Sequence, residues 1–576
     1  VANFFSDNKD LVDLFEHMDV QQIVSMQENG FRDAENWDYA PVDYADAIDS
    51  YRRVLTLVGD ISANFIEPRA EDVDAEGVRL EDGKVHYADG TREALKQLSS
   101  ADLMGFTLPR KYGGLNLPVF LYTMAIEIVS RADASLMNIF GLQDIAETIN
   151  EFASEELKEY YLPKFSSGEV TGAMVLTEPD AGSDLTNVQL RAIPGDDDET
   201  WYLNGVKRFI TNGCAEVLLV LARSEPDVSG ARGLSLFLCE GDDTVRVRRL
   251  EDKLGIHGSP TCELQFSRTP AKLVGDRKRG LSKYVMSLMN GARLGIAAQA
   301  IGIAEAALNE ALEYAATRDQ FGQPIREFPA VREMLASMHM KVETSRLLAY
   351  ETSVAVDIHN NIERLSGTEQ LADIPGGKEL ADNSRFYRKL ASALTPLVKY
   401  YTTEMCNEVC YDAMQVLAGS GYMRDYPVER YYRDARITTI YEGTTQIQYN
   451  AAVGYVTSGF FEDRFTQLHR ELEKEGSPFL ERLKEARDWL DDAVNYINEQ
   501  DDSEYKMLHA GRLCESAATI YNGYLLIKPA SRSDHKKALA ENYFAHTLPL
   551  VKLNCEQIKS GDRTLLDDMP HLLEYE

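Results

Sequence analysis

The strongest constraint on how this chain folds is a change of hydrophobic period near Thr171 and a second change near Leu281. Between them, short apolar runs are bounded by turn residues: Gly172 to Thr177, Trp201 to Ile210, Val217 to Ala222, Leu234 to Cys239, Val245 to Leu250 and Cys262 to Phe266. Runs of that length and composition read as strands. Asn204-Gly205, set between two apolar arms, predicts a hairpin. On either side the apolar residues recur at helical spacing. About 100 residues of β structure therefore lie between helical blocks, and the chain is predicted to be α+β.

At 576 residues the chain is too long for one core. The divisions read as 1–50, an acidic helical lead; 51–170, helical; 171–275, β; 276–456, helical; and 457–576, helical and strongly charged. In the lead, helices are expected over Asn8 to His17 and Val20 to Gln27, with Gly30 as a stop. The second division stays helical except for a loop from Leu103 to Gly114, with buried helices over Val119 to Ile128 and Leu136 to Phe152. Long helices are predicted from Met289 to Ala316, from Pro329 to about Ile358 and from Asn383 to Gly419. Asn360 to Asp382, with Pro375-Gly-Gly, reads as an inserted loop. Breaks in the last division fall near Gly476-Ser-Pro, Glu499 to Ser503 and Lys528-Pro.

A formal charge of −33 argues against a nucleic-acid partner, which requires a basic footprint. No apolar run is long enough for an integral membrane segment, and the first residues lack the basic and apolar pattern of a secretion signal. Seven scattered cysteines without a CxxC spacing give neither a disulfide framework nor a zinc site, so no metal is expected. Cys406 and Cys410, one helical turn apart, read as buried helix residues. A reducing, cytoplasmic location follows.

The chemistry concentrates in Arg436 to Gln448, where Glu442 sits between Ile440-Tyr441 and Gly443-Thr444-Thr445. A carboxylate shielded by apolar neighbours has a raised pKa and can remove a weakly acidic C–H proton. Gly443 permits close approach to a ligand, and Thr444 and Gln446 offer hydrogen bonds. A glutamate closing a helix before a glycine turn accounts for the same residues. Leu176 to Asp184, with Thr177 and Ser183, is a loop able to embrace a planar polar ligand, or simply a turn. Phe209 and Thr211 alternate onto one face, as a ligand wall or as core. Arg318, closing a long helix, either complements the helix dipole or clamps a pyrophosphate with Phe321 against an adenine.

Together these pieces resemble the acyl-CoA dehydrogenase family. LTEPDAGSD at 176–184, NGVKRFITNG at 204–213, RDQFGQPI at 318–325 and QVLAGSGYMRDYPVERYYRDARITTIYEGTTQIQ at 415–448 look like its signatures, covering roughly Tyr51 to Val456. The resemblance implies a helical N-terminal domain, a middle β-barrel or sandwich domain and a C-terminal four-helix bundle, with residues 457–576 as the added helical C-terminal domain of long members. It implies an FAD enzyme that converts an acyl-CoA thioester to its trans-2-enoyl form. Glu442 would take the α-proton while the β-hydrogen leaves as hydride to flavin N5, the thioester oxygen being polarised by the Glu442 backbone N–H and the FAD ribityl hydroxyl. Leu176, Thr177, Ser183, Phe209 and Thr211 would contact the flavin. Arg318, Phe321, Gln415 and Gly419 would hold the ADP end of an FAD shared between subunits, and Thr444 and Gln446 its pyrophosphate. Ser183, Arg293 and Gly443 would contact substrate.

The departures from the family pattern are Asn290 for an acidic residue three before Arg293, Phe209 for Trp, and Met174 for an aromatic. Gly141, where medium-chain relatives carry a larger residue, deepens the acyl pocket. The implied partners are an acyl-CoA, an electron-transfer flavoprotein and a second copy of the chain, a dimer being favoured and a tetramer the alternative. The acidic last division reads as solvated packing rather than as a membrane anchor. Three rival readings share these motifs: an acyl-CoA oxidase, an AidB-like flavin-containing DNA-associated protein, and a flavin-bearing subunit of a larger electron-transfer complex.

Overall fold

The computed structural model describes residues 2–197 and 199–574. The first helical layer is built around Val119–Ala132, which is apolar on nearly every side and buried along almost its whole length. The segment 136–152 is not one helix but two, Ala134–Phe140 and Asp144–Phe152, joined by a 3₁₀ turn at Gly141–Gln143. Asp133 caps the first by accepting the Ser135 N–H at 2.8 Å, and Gly141, a poor helix former, ends it. The helical reading also passed over a small hairpin, Arg79–Glu81 with Lys84–His86. Asp82 and Gly83 both take positive φ there, as a two-residue turn of that type requires.

The β domain closes into a barrel. Val217–Arg223 pairs with Leu234–Glu240, which pairs with Thr261–Val274, then Thr200–Thr211, then Arg191–Pro194. The last of these returns to Val217–Arg223 through Arg191 and Arg223. Gly172–Val175 runs parallel to Val217–Arg223, and Val245–Leu250 lies against Thr261–Val274. Closure leaves Val217–Arg223 buried at every residue.

The expected hairpin at Asn204-Gly205 is absent: Thr200–Thr211 is one continuous strand. Its register against Thr261–Val274 jumps between Leu203↔Thr269 and Asn204↔Ser267, leaving Arg268 bulged at φ +54. The Asn204 side-chain oxygen accepts the Arg268 N–H at 2.9 Å, so the Asn-Gly pair fixes a bulge rather than a reversal.

The C-terminal bundle contains three long helices, Met286–Thr317, Pro329–Leu365 and Ser384–Leu417. Its fourth helix is broken in two, Val428–Thr438 and Thr445–Thr457, and the break carries Glu442. The predicted inserted loop is largely helical: Pro329–Leu365 outruns its expected end, and Glu369–Asp373 and Gly377–Asp382 follow. Ile362, Leu365, Leu371, Ile374 and Leu380 bury in the core of the N-terminal helices, which the polar composition of this stretch conceals. Cys406 and Cys410 are buried inside the bundle.

After residue 457 come Phe460–Leu472, Leu480–Gln500, Ser503–Leu508, Ala510–Ala530 and Asp534–Lys559. Their core is continuous with that of the bundle, running from Ala300 and Leu397 through Leu513 and Ile520 to Phe544 and Val551. The acidic lead is tied to this last block by ion pairs, Asp10 with Lys536 and Asp13 with Arg532, both at 2.7 Å. Among the described residues, no helix is long and apolar enough to cross a membrane.

Candidate active site

Glu442 and Gly443 both adopt left-handed backbone conformations, φ +55 and +92. A non-glycine residue held there costs about 1–3 kcal/mol, so the surroundings must impose it. They do so through three side chains. Gln448 Nε2 donates to the carbonyls of Glu442 (3.1 Å) and Gly443 (3.0 Å), and Lys399 Nζ donates to the Gly443 carbonyl at 2.7 Å. Arg293 Nε lies 3.5 Å from the Glu442 carbonyl, and the Thr445 N–H closes the turn on Thr439 at 3.0 Å.

The Glu442 side chain faces a cavity of about 140 Å³ lined by Met137, Asn138, Gly141, Asp144, Ile296 and Tyr441 on the helical side. Burial raises the pKa of this carboxylate, while Arg293 and Lys399 act in the opposite sense. Shielding does not come from Ile440, as chain adjacency suggested: Ile440 is 45% exposed. It comes from Tyr441, whose hydroxyl is anchored on Gln299 and on Asn138 Oδ1, and from the β domain across the cavity.

The β-domain wall is made by Met174, Leu176, Thr177, Gly182, Leu185, Phe209 and Thr211. Behind it, Lys207 Nζ donates to the Leu176 carbonyl at 2.6 Å and pairs with Glu178 at 3.0 Å. Glu178 in turn accepts the Gln189 and Leu190 N–H groups at 2.7 and 2.9 Å. Burial pulls the Lys207 ammonium down to about 8, with Glu178 opposing. This inner pair shapes the 176–184 loop from behind, leaving Thr177 on the cavity. Phe209 sits in a second bulge of its strand, at φ +61, which turns its ring outward; it stays 53% exposed with the Arg208 guanidinium 4.6 Å from the ring centre.

Of the residues singled out in the sequence, Leu176, Thr177, Phe209, Thr211, Glu442 and Gly443 share this cavity. Arg293 is buried beside it, its Nη1 donating to Asn290 Oδ1 at 3.2 Å. Ser183 is exposed and off the lining. Arg318, Phe321, Gln415 and Gly419 are exposed at the far end of the bundle, where Tyr314 and Ser420 hold the two helix ends together at 3.2 Å. Phe321 is 95% exposed. Thr444 precedes the first turn of Thr445–Thr457, and Gln446 is exposed on it.

Sequence reasoning missed Lys399, Gln448, Asp144 and the Lys207–Glu178 pair. Lys399 carried a usable signal, being the lone charge in Leu394-Thr-Pro-Leu-Val-Lys-Tyr-Tyr, and it is fully buried. Its ammonium is pulled down to about 7, by burial first and by Arg293, with Glu442 opposing. A planar polar ligand fits the cavity: one wall is an outward-turned aromatic ring with two threonine hydroxyls. On the other wall Asn138 Nδ2 is a buried donor with no partner among the described residues.

The geometry defines the class first: a shielded carboxylate on a strained bundle turn, facing a cavity whose opposite wall is a β barrel. Residues 49–169, 173–269 and 294–446 match the acyl-CoA dehydrogenase N-terminal, middle and C-terminal domains, and 457–559 matches the domain described as acyl-CoA dehydrogenase C terminal. The chain belongs to the acyl-CoA dehydrogenase family. It is 34% identical over 480 residues to 3-methylmercaptopropionyl-CoA dehydrogenase of Ruegeria pomeroyi, covering 76% of this chain and 78% of that one. A chain in the structure of the electron transferring flavoprotein of Acidaminococcus fermentans superposes with TM-score 0.59 and 31% identity, covering 70% of this chain and 96% of that chain. An acyl-CoA dehydrogenase complexed with FAD from Bacillus anthracis shares the fold over 91% of this chain and 90% of its own, with TM-score 0.75 and 22% identity.

Proposed function

We propose that the protein is an FAD-dependent acyl-CoA dehydrogenase in which Glu442 removes the α-proton of a CoA thioester. The observation that carries this is the Glu442 carboxylate, enclosed and with a raised pKa, facing a cavity between bundle and barrel. Such a base contributes about 10²–10⁴-fold. The Glu442 backbone N–H has no partner among the described residues, which suits it to polarise the thioester oxygen as the α-proton leaves. Arg293 and Lys399 hold the carboxylate ionisable and the turn in place.

Leu176, Thr177, Phe209 and Thr211 would hold the flavin ring system, with Ser183 at its edge toward the substrate's pantetheine arm. Bound FAD supplies the acceptor for the β-hydride. Arg318 lies 25 residues beyond Arg293, on the order of 37 Å along the helix and away from the Glu442 cavity. We therefore assign Arg318, Phe321, Gln415 and Gly419 to the ADP end of the FAD of a second copy, with Thr444 and Gln446 at the pyrophosphate, which favours a homodimer. The acceptor of the electrons would be an electron-transfer flavoprotein, the location cytoplasmic, and the domain boundaries close to residues 50, 170, 275 and 456.

Glu442→Gln tests the reading. The variant is expected to purify yellow and to bind acyl-CoA, with flavin reduction at least about 100-fold slower. Near-parental reduction would remove Glu442 from its role. Rapid reoxidation by air, as against a one-electron acceptor, would move the protein to the oxidase branch.

A further inference from the structure

The depth that Gly141 was expected to add is not free space. Met137 stands one helical turn before it, and a methyl carbon placed on Gly141 would come within 2.8 Å of Met137 Cε and 3.3 Å of its Sδ. The thioether lies over Gly141 and fills the recess. Its methyl group also reaches across to the bundle: a methyl carbon on Gly295, in the helix Met286–Thr317, would stand 3.5 Å from Met137 Cε and 3.6 Å from Ile126 Cδ1. Met137, Gly141 and Gly295 all line the cavity that Glu442 faces. Met137 is 4% exposed and belongs to the buried core of the N-terminal helices, so this is the inner end of that cavity.

Beyond Gly295 lies a second chamber of about 300 Å³, with Ile126 and Gly295 on its wall. Thr107, Glu147, Asn150 and Glu151 also line it, polar groups against which an alkyl tail gains little by leaving water. The Met137 methyl and Ile126 stand together over Gly295, at the partition between the two spaces. Methionine is unbranched and adaptable, so one side chain can occupy the room that two glycines leave.

We propose that Met137 is the residue that sets acyl-chain length, and that the preferred substrate is a short acyl-CoA whose tail stops at the Met137 methyl. The inference rests on the acyl-CoA reading and narrows it to a substrate class. For its α-proton to reach Glu442 the thioester lies between that carboxylate and the barrel wall. Its tail then meets the apolar part of the helical lining, which is Met137 and Ile296 with the two glycines.

The test compares butanoyl-CoA with octanoyl-CoA on the FAD-loaded full chain, by anaerobic flavin bleaching and by calorimetric binding. The parent is expected to prefer butanoyl-CoA at least about tenfold in kcat/KM, since the pocket has no room for the longer tail. Met137→Ala should raise the octanoyl-to-butanoyl ratio at least about tenfold, whereas Met137→Leu, which keeps the volume, should hold it near the parental value. Gly141→Ala, which crowds the thioether, should not raise it. Equal use of the two substrates by the parent, a ratio unmoved in a folded Met137→Ala, or a Met137→Leu shift as large as that of Met137→Ala would overturn the proposal. If both thioesters bleach the flavin without a preference, the dehydrogenase reading stands and the chain-length assignment fails. If neither bleaches it, the dehydrogenase reading fails, and the binding ratio in parent and Met137→Ala still decides whether Met137 ends the pocket.

Discussion

Replacing Lys399 with Met separates the strained turn from the stability of the bundle. Lys399 is fully buried, and its ammonium donates to the Gly443 carbonyl at 2.7 Å. Met keeps the length and removes the charge. A hydrogen bond from a charged donor contributes about 1.5–3 kcal/mol. If that energy serves to hold Glu442 in its left-handed pose, its loss slows α-proton removal by roughly 10- to 150-fold. The Gly443 carbonyl is not orphaned, because Gln448 still donates to it at 3.0 Å. Removing a buried cation relieves its own desolvation but takes a counter-charge from Glu442, so the two offset and the melting temperature should change little. The groups facing Glu442 are Arg293 and Lys399, which lower its pKa, and Asp144, whose own pKa Glu442 raises. Taking away one cation raises the Glu442 pKa further. The rate, which climbs with pH as the base ionises, should therefore reach its plateau at higher pH. Anaerobic stopped-flow flavin reduction across the neutral range, beside thermal melts, measures all three. A rate within about twofold of the parent and an unmoved pH limb would refute the positioning role.

Two further outcomes are expected. In Gly443→Ala the new methyl carbon would lie 2.7 Å from Gln448 Nε2 at φ +92, so flavin reduction should drop at least about tenfold and the melting temperature should fall; parental kinetics would show that the turn tolerates the displacement. Burial, with Glu147 and Glu442 adding to it, pushes the Asp144 carboxyl up to about 8 from 3.8, so between those values the unfolded chain holds fewer protons and stability from this group falls as pH rises. Asp144→Asn should accordingly raise the melting temperature more at pH 8 than at pH 5, and an equal gain at both would contradict the enclosed, unpaired placement.

What was legible in the sequence follows from how local each feature is. Helices such as Val119–Ala132 and the strand Val217–Arg223 advertise themselves by period and composition. The Asn204-Gly205 pair misled because the same two residues serve a reversal or a bulge; the choice was made by Arg268, on a partner strand more than sixty residues away. Residues 360–382 read as a loop because their few apolar side chains are spaced by polar ones, yet Ile374 and Leu380 find a core supplied by the N-terminal helices.

The site divides in the same way. Glu442 and Gly443 lie within one short motif, and the cofactor-side residues Leu176, Thr177, Phe209 and Thr211 within two others, so resemblance brought them forward together. What sets the chemistry of Glu442 lies elsewhere in the chain, in Arg293 and Lys399 on two separate bundle helices. Ile440 shows the converse, adjacent in sequence yet turned to solvent, because the backbone reverses hand between it and Gly443. A motif therefore names the base, whereas its pKa is a property of two distant helices. Selection acting on those elements can retune substrate and pH range while leaving the motif unchanged. Asp144 bears on this directly: it shares a cavity with Glu442 but belongs to none of the family signatures.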